Sequence, residues 1–136
     1  MYRSPPALAP LVIAALGHRV VALERLTGRR VWEWRDPDGT DFSHIVVDAT
    51  DVLVGGGAKV VRLVHATGAV VWRAHVPLPV STWLVDGPHV FLGSGGEVAC
   101  LDRETGRVLW HDPFPGYGLS QVALGVVGAA SDVDRF

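Results

Sequence analysis

The sequence is poor in residues that build disulfide and metal sites: its 136 residues include one cysteine, one methionine and no asparagine. Cys100 cannot form an internal disulfide, and no cysteine pair exists to give the spacing of a zinc site. Charged residues are only 19% of the chain and the formal net charge is −2. There is therefore no electrostatic reason to expect nucleic acid or a membrane surface as a partner.

Long apolar runs and helix-period segments are also missing. The nearest candidate for a targeting segment follows Arg3 and runs over residues 7–16, which is too short to span a bilayer. The repeat described next assigns residues 11–16 to a strand instead, so residues 1–10 are predicted to be an N-terminal extension. A cytoplasmic protein is the expectation, and export stays open as the alternative.

What the sequence does contain is a repeat, marked by Thr-Gly pairs that recur 40 and 38 residues apart. Each pair has a leucine four positions before its threonine and a tryptophan four positions after its glycine. The pairs and their tryptophans are Thr27-Gly28 with Trp32, Thr67-Gly68 with Trp72, and Thr105-Gly106 with Trp110. Chain self-similarity at a period near 40 indicates a β-propeller, in which each copy is a blade of four antiparallel strands.

The predicted protein is therefore all-β, with a propeller-repeat domain over residues 11–136. Its copies are residues 11–35, 43–75 and 81–111, followed by a closing strand within 119–130. The innermost strands are predicted at 44–48, 82–86 and 121–125, and the second strands at 11–16, 51–55 and 89–93. The third strands follow at 18–25, 58–65 and 97–103, and the fourth at 30–35, 69–74 and 107–111.

Residues 98–110, VACLDRETGRVLW, resemble the tryptophan-docking repeat of the PQQ-like (quinoprotein-type) β-propeller family. Residues 21–32 match the same pattern, and residues 60–72 depart most, with His65-Ala66 where charged turn residues are usual. The resemblance covers residues 11–125 and implies the propeller fold. It says less about activity, because many relatives bind no cofactor, among them outer-membrane assembly scaffolds and sensor domains.

Enzymes of this family hold PQQ in a pocket with adjacent cysteines, beside a calcium site of Glu, Asn and Asp and a catalytic Asp. This sequence has no asparagine and no cysteine pair, so the resemblance favours a non-catalytic member with no cofactor, metal site or catalytic residue. The loop 36–41 has three aspartates but lacks the later glutamate of an EF-hand, and its Pro-Asp-Gly is ordinary turn chemistry. The alternative is an enzyme component that completes a quinoprotein-like or hydrolytic propeller with another chain.

Two groups of residues are predicted to matter. The first joins neighbouring blades, because an identical place in every repeat serves packing: Trp32, Trp72, Trp110, Gly28, Gly68 and Gly106. The second would contact a protein, a peptide or a small polar ligand. It comprises residues of the loops 35–43, 73–81 and 111–120 on one face of the ring, together with a tryptophan on an innermost strand: Asp36, Asp38, Asp41, His75, His111, Asp112, Tyr117 and Trp83.

Three copies cannot surround an axis, since propellers have 4 to 8 blades. The first copy lacks its innermost strand, while the strand at 121–125 has no blade of its own. Two chains joined head-to-tail would supply each other's missing strand and make a six-bladed ring. The sequence thus predicts a half-propeller that closes as a homodimer or with another propeller-repeat chain.

Overall fold

The computed structural model describes residues 11–128, and in that range the protein consists of three antiparallel sheets without a helix. The first sheet has the order β1-β2-β3, the second β4-β5-β6-β7 and the third β8-β9-β10-β11. Their strands are β1 Val12–Leu16, β2 Arg19–Leu23, β3 Arg30–Arg35, β4 His44–Val47, β5 Asp51–Gly56, β6 Lys59–Val64, β7 Val70–His75, β8 Thr82–Asp86, β9 His89–Ser94, β10 Glu97–Asp102 and β11 Val108–Asp112. No helix in this part of the chain is available to cross a membrane.

The sheets are the predicted blades, and the all-β fold of propeller type is confirmed. Among the described residues the first blade has three strands, which occupy the second, third and fourth strand positions of the repeat. In each blade a tight turn joins the second and third strands, and Gly57 in the second blade has the positive φ of 52° that such a turn requires. The strand predicted at 11–16 is present as β1.

In the single chain the segment 121–125 is not a strand, so the closing strand predicted there, which needs a second chain to pair with, stays a prediction. Its side chains are alternately exposed and half-buried, as in an extended chain with one face against a surface. That surface is β9: a Cβ on Gly93 would lie 2.9 Å from Val122 and 3.7 Å from Leu124. A segment becomes a strand only when it is hydrogen-bonded to a neighbour. Residues 121–125 have no such pairing in the described part of the chain, and Val126, just after them, forms a single isolated bridge. Residues 129 and 130 of that prediction lie outside the described part.

Two apolar clusters hold the three blades together, one at each junction. Val20 of the first blade packs with Val54 and Val61 of the second. Leu53 of the second blade packs with Leu92 of the third. Successive residues of a strand point to opposite faces, so β5 sends Val54 to one junction and Leu53 to the other. The second blade is consequently buried on both faces.

Two of the three repeat tryptophans cross these junctions. Trp32 Nε1 donates a hydrogen bond to the carbonyl of His65 at 2.9 Å, and its ring lies against Gly68 of the next blade. Trp72 repeats the arrangement, donating to the carbonyl of Arg103 at 2.9 Å. Its ring lies where a Cβ on Gly106 would approach to 2.6 Å. Glycine is needed at these turns because any side chain would displace the indole.

The third tryptophan and the first glycine have no such partner within residues 11–128. Trp110 is 46% exposed, and Gly28 is exposed with nothing within 4 Å of a Cβ built on it. How much the six repeat residues contribute to stability stays a prediction.

Candidate functional site

One end of the blades carries the three segments that return from an outer strand to the next inner strand. Residues 35–43, 73–81 and 111–120 lie beside the turns between the second and third strands. Phe42 N donates to Gly17 O at 2.8 Å, and Val80 N donates to Gly57 O at 2.7 Å. We call this end the loop face. It contains all the predicted ligand-contact residues except Trp83, which lies on β8.

The first of these segments is held by a buried ion-pair network that crosses to the second blade. Lys59 Nζ lies 2.9 Å from Asp36 Oδ2 and 2.5 Å from Asp38 Oδ2. Arg73 contacts the same two carboxylates at 3.1 and 2.9 Å. Asp36 and Lys59 are 2% and 4% exposed, so each charge depends on the other for its stabilisation. Lys59 is the only lysine of the chain.

This network keeps Asp36 ionised. Burial alone would raise the pKa of Asp36, but hydrogen bonds from Lys59 and from the Thr40 amide outweigh it and lower the pKa from 3.8 to about 2. The Thr40 amide lies 3.0 Å from Asp36 Oδ2. Hydrogen bonding to Lys59 lowers the pKa of Asp38 as well. The carboxylates therefore act as permanent acceptors that fix the start of the loop.

The equivalent segment of the next repeat is anchored by apolar side chains instead. Val76 and Leu78 stand 40 positions after Asp36 and Asp38, and both are buried in the cluster between the second and third blades. The two segments occupy equivalent places in the fold, but ion pairs hold the first and apolar packing holds the second. Asp36 is accordingly a positioning residue inside the loop rather than a contact for a ligand.

Next to the ion-pair network, the first segment borders an open groove of about 400 Å³. Its lining comes from the loop, from the turn before β6 and from the end of β7: Asp38, Thr40, Asp41, Gly57, Ala58, Lys59 and His75. Asp41 and His75 are exposed there, and Asp38 has 55% of its side chain exposed. Three of the predicted contact residues, Asp38, Asp41 and His75, therefore share one groove.

The third segment forms a separate group on the third blade. His111 Nε2 lies 2.6 Å from Glu97 Oε1, and Asp112 accepts a hydrogen bond from the Phe114 amide at 2.9 Å. Phe114 has a positive φ of 42°, and its ring meets that of Tyr117 edge-on at 5.4 Å between centroids. Tyr117 is 78% exposed. These residues offer an aromatic surface with a hydroxyl, apart from the groove.

Trp83 does not reach the surface. It is 3% exposed and packs across the second junction, where a Cβ on Gly55 would lie 3.0 Å from its ring. Its contacts are those of a core residue, which corrects its assignment to a ligand surface. His44 of β4 covers it from outside, with ring centroids 5.8 Å apart and His44 Nε2 3.0 Å from the carbonyl of Ser81.

Sequence reasoning missed Lys59 and Arg73, the cations of the network. Both lie in strands of the second blade, 23 and 37 positions after Asp36. The available signal was the replacement of aspartates by Val76 and Leu78 at the same repeat positions. A buried carboxylate needs a cation, and a comparison of the two loops would have raised the question of its partner.

The residues present do not fit the PQQ and calcium site of the family's enzymes. Within residues 11–128, no three His, Cys, Asp or Glu side chains are placed to hold a metal ion. Asparagine is absent from the sequence, and Cys100 is a buried free thiol. Burial raises the pKa of the Cys100 thiol, with a smaller contribution from Asp102.

Antiparallel sheets of sequential strands, packed face to face through a repeated tryptophan, define the protein as part of a β-propeller. A family model described as "Outer membrane protein assembly factor BamB" matches residues 16–132. The chain therefore belongs to this family of PQQ-like β-propeller repeats. No curated protein matches the sequence.

Solved structures show the same fold. BamB from Moraxella catarrhalis is 21% identical with a TM-score of 0.60, and the match covers 89% of this chain and 43% of that one. Quinohemoprotein alcohol dehydrogenase from Comamonas testosteroni is 22% identical with a TM-score of 0.61, covering 76% and 19%. A europium-containing methanol dehydrogenase is 18% identical with a TM-score of 0.59, covering 74% and 22%. The chain thus spans less than half the length of each.

Proposed function

We propose that the protein is a non-catalytic propeller scaffold that binds a protein or peptide on its loop face, with a small polar ligand as the second kind of occupant. The observation that carries this proposal is the open groove at which the exposed side chains of Asp41 and His75 lie. One side of the groove is the first loop, which the Asp36–Lys59 pair anchors to the second blade. Concave surfaces that combine apolar area with a few polar groups, held by a rigid framework, are the usual setting for recognition.

The comparisons support a scaffold in general. A matching structure is named as BamB, and the family model is described as an outer membrane protein assembly factor. Binding of protein partners is carried over to this chain as part of the proposal. Neither nucleic acid nor a membrane is included among the partners, because the net charge is −2.

The test is affinity capture from a lysate of the source cells, with two variants that each introduce an arginine at a different place. Asp41→Arg places a cation in the groove, and Ala66→Arg places the same cation on an exposed turn at the opposite end of the second blade. Capture of a defined partner should fall at least tenfold for Asp41→Arg and stay unchanged for Ala66→Arg. Equal capture by both variants would remove the loop face from the proposal.

A second candidate is an enzyme component that completes a quinoprotein-like or hydrolytic propeller with another chain. The matches to two dehydrogenases favour it, and the missing asparagine and cysteine pair oppose quinone chemistry. Titration with PQQ and calcium, followed by absorbance, separates the two candidates. Tight stoichiometric binding would support the enzyme component and contradict the scaffold.

Ring completion belongs to the proposal as well. A second copy of this chain, or another propeller-repeat chain, would cover the outer faces of the first and third blades and close the ring. We place the protein in the cytoplasm, and export is the alternative that the outer-membrane name of the family raises. Fractionation of cells that express a C-terminally tagged chain would decide between the compartments.

A further inference from the structure

The outer faces of the first and third blades carry residues that are buried wherever a neighbouring blade is present. Val52 and Val90 are fully buried, but Val12 at the same repeat position of the first blade is 47% exposed. On the opposite face, Val20 and Val60 are fully buried, and their counterpart Val98 of the third blade is only half-buried. The two faces are thus the two halves of one more blade junction.

The tryptophan on the outer face of the third blade and the glycine turn on the outer face of the first blade are complementary. Within the part of the chain that the structure describes, Trp110 has no turn like those that receive Trp32 and Trp72, and no indole covers Gly28 as indoles cover Gly68 and Gly106. The carbonyl that would accept the Trp110 indole N–H is that of Arg25, which stands at the repeat position of His65 and Arg103. The unpaired tryptophan and the unpaired turn match the contacts that the chain already makes twice.

The backbone is complementary as well. In the second and third blades the inner strand pairs with the next strand, with Ile45 opposite Val54 and Trp83 opposite Leu92. In the first blade, β1 has no hydrogen-bonded strand on that side among residues 11–128. Segment 121–124, in turn, packs Val122 over Gly93 as Trp83 packs over Gly55, and it has no ladder partner among the described residues. It already lies in the position of an inner strand.

We propose that the third-blade face of one copy docks the first blade of a second copy, with the Trp110 indole on the Gly28 turn and segment 121–124 added antiparallel to β1. The inference rests on the proposed ring completion and assigns its contacts. The register follows from the other two blades: Gln121 opposite Ala15, Val122 opposite Ala14, Ala123 opposite Ile13, and Leu124 opposite Val12. Val122 and Ala14 would then share the face that meets the third blade.

A second copy is the occupant that these surfaces specify. Both halves of the junction are present on one chain, in the orientation in which the first blade follows the third. Such a head-to-tail contact, made twice by two copies, closes with two-fold symmetry. The six blades that result fall within the range of closed propellers.

Gly28→Ala tests the tryptophan contact. Gly28 and Gly39 have φ values of 72° and 71° and open space around a Cβ, so Gly39→Ala is a control for backbone strain alone. Sedimentation over a concentration series should show a dimer for the wild type and for Gly39→Ala, and dissociation at least tenfold stronger for Gly28→Ala. A wild type that remains monomeric, or equal dissociation of both variants, would overturn the proposal. So would a dimer that forms only with a different propeller chain.

Mixed cysteine variants test the register. A chain with Ala14→Cys, mixed with a chain with Val122→Cys and treated with oxidised glutathione, should give a disulfide-linked pair, because directly opposed residues are within disulfide range. Ala123→Cys in place of Val122→Cys is the control, since its side chain points to the other sheet face. Every variant also retains the buried native Cys100. Each single-cysteine variant, oxidised on its own, therefore shows how much cross-linking Cys100 contributes. Equal cross-linking in both mixtures, or none in either, would overturn the assigned register.

These experiments separate the inference from the function it rests on. A cross-linked dimer that captures no partner on its loop face would leave the junction standing and remove the proposed scaffold role. A chain that captures its partner as a monomer would keep the scaffold role and overturn the junction.

Discussion

Replacing Asp36 by valine gives the sharpest test of how the loop face is built, because valine stands at the same place in the next loop as Val76. In the variant Asp36→Val, Lys59 stays buried with Asp38 as its remaining partner at 2.5 Å. Removing one member of a buried pair costs about 3–5 kcal/mol. We expect the lower end, about 3 kcal/mol, since Asp38 still compensates part of the charge.

The double variant Asp36→Val, Lys59→Met separates the pairing from the packing. A buried ion pair replaced by apolar groups of similar volume is often neutral, so the double variant should unfold within about 1 kcal/mol of the wild type. Lys59→Met alone should be costly, because it leaves Asp36 buried with only Arg73 as a cation. The control is Arg29→Ala, whose ion pair with Glu24 is exposed and should contribute less than about 1 kcal/mol.

The same pair predicts a dependence on pH. The pKa of Asp36 is lowered from 3.8 to about 2, so its ionised form stabilises the fold above pH 4, by about 2.4 kcal/mol in full. This contribution is lost as the pH falls through the folded-state pKa. Between pH 5 and pH 2 the wild type should therefore lose about 2 kcal/mol more than the double variant.

Urea unfolding of the four variants at pH 7, repeated at pH 5 and pH 2, measures all these quantities as free energies of unfolding. Because each single substitution should cost about 3 kcal/mol and the double variant only about 1 kcal/mol, residues 36 and 59 should show a coupling of about 5 kcal/mol in the double-mutant cycle. A double variant as unstable as the sum of its single substitutions would refute it. Parallel pH profiles for the wild type and the double variant would refute the electrostatic part alone.

Two further predictions concern the blades and the cofactor. Trp72→Ala should destabilise by about 3–5 kcal/mol, because the Trp72 indole donates a hydrogen bond to Arg103 of the next blade. Trp34→Ala should cost less, since Trp34 contacts Phe42 and has no such bond among residues 11–128. Equal urea midpoints for the two variants would contradict a docking role for Trp72. Protein purified from cells supplied with PQQ and calcium should carry neither group, since the residues that bind them in the family's enzymes are absent. Absorbance and elemental analysis measure the two groups. Stoichiometric recovery of both would show that other residues hold them.

The fold could be predicted from the sequence because its determinants are local and repeated. A Thr-Gly turn fixes the hairpin of Gly68, and a tryptophan four residues later lies on the adjoining strand. Both recur with the period of the blade. The segment 121–125 has the same pattern but did not form a strand, since strand formation depends on a neighbour that no local pattern supplies. Local sequence therefore predicts which segments can be strands, and only their surroundings decide which of them pair.

The site was less predictable because its contacts join distant positions. Asp36, Asp38 and Asp41 looked alike in sequence, yet Asp36 is sealed in an ion-pair network and Asp41 faces the groove. What distinguishes them is Lys59, whose position is set by the next blade. Trp83 was misjudged for a related reason: the side chains of an inner strand alternate between the two faces of the blade, and the Trp83 indole lies on the face that packs against Gly55 of the second blade.

The repeat itself indicates where recognition belongs. Positions that are alike in every copy, such as the tryptophans, serve the junctions between blades. At the start of the third strand on the loop face the copies differ, with Arg19, Lys59 and Glu97 at one repeat position. Each has a different partner: Arg19 faces Glu33 at 3.9 Å, Lys59 the buried Asp36, and Glu97 the exposed His111. Packing alone would favour one solution repeated three times, so this divergence supports the proposal of recognition on the loop face, where a ligand spanning several blades would meet a different charge on each.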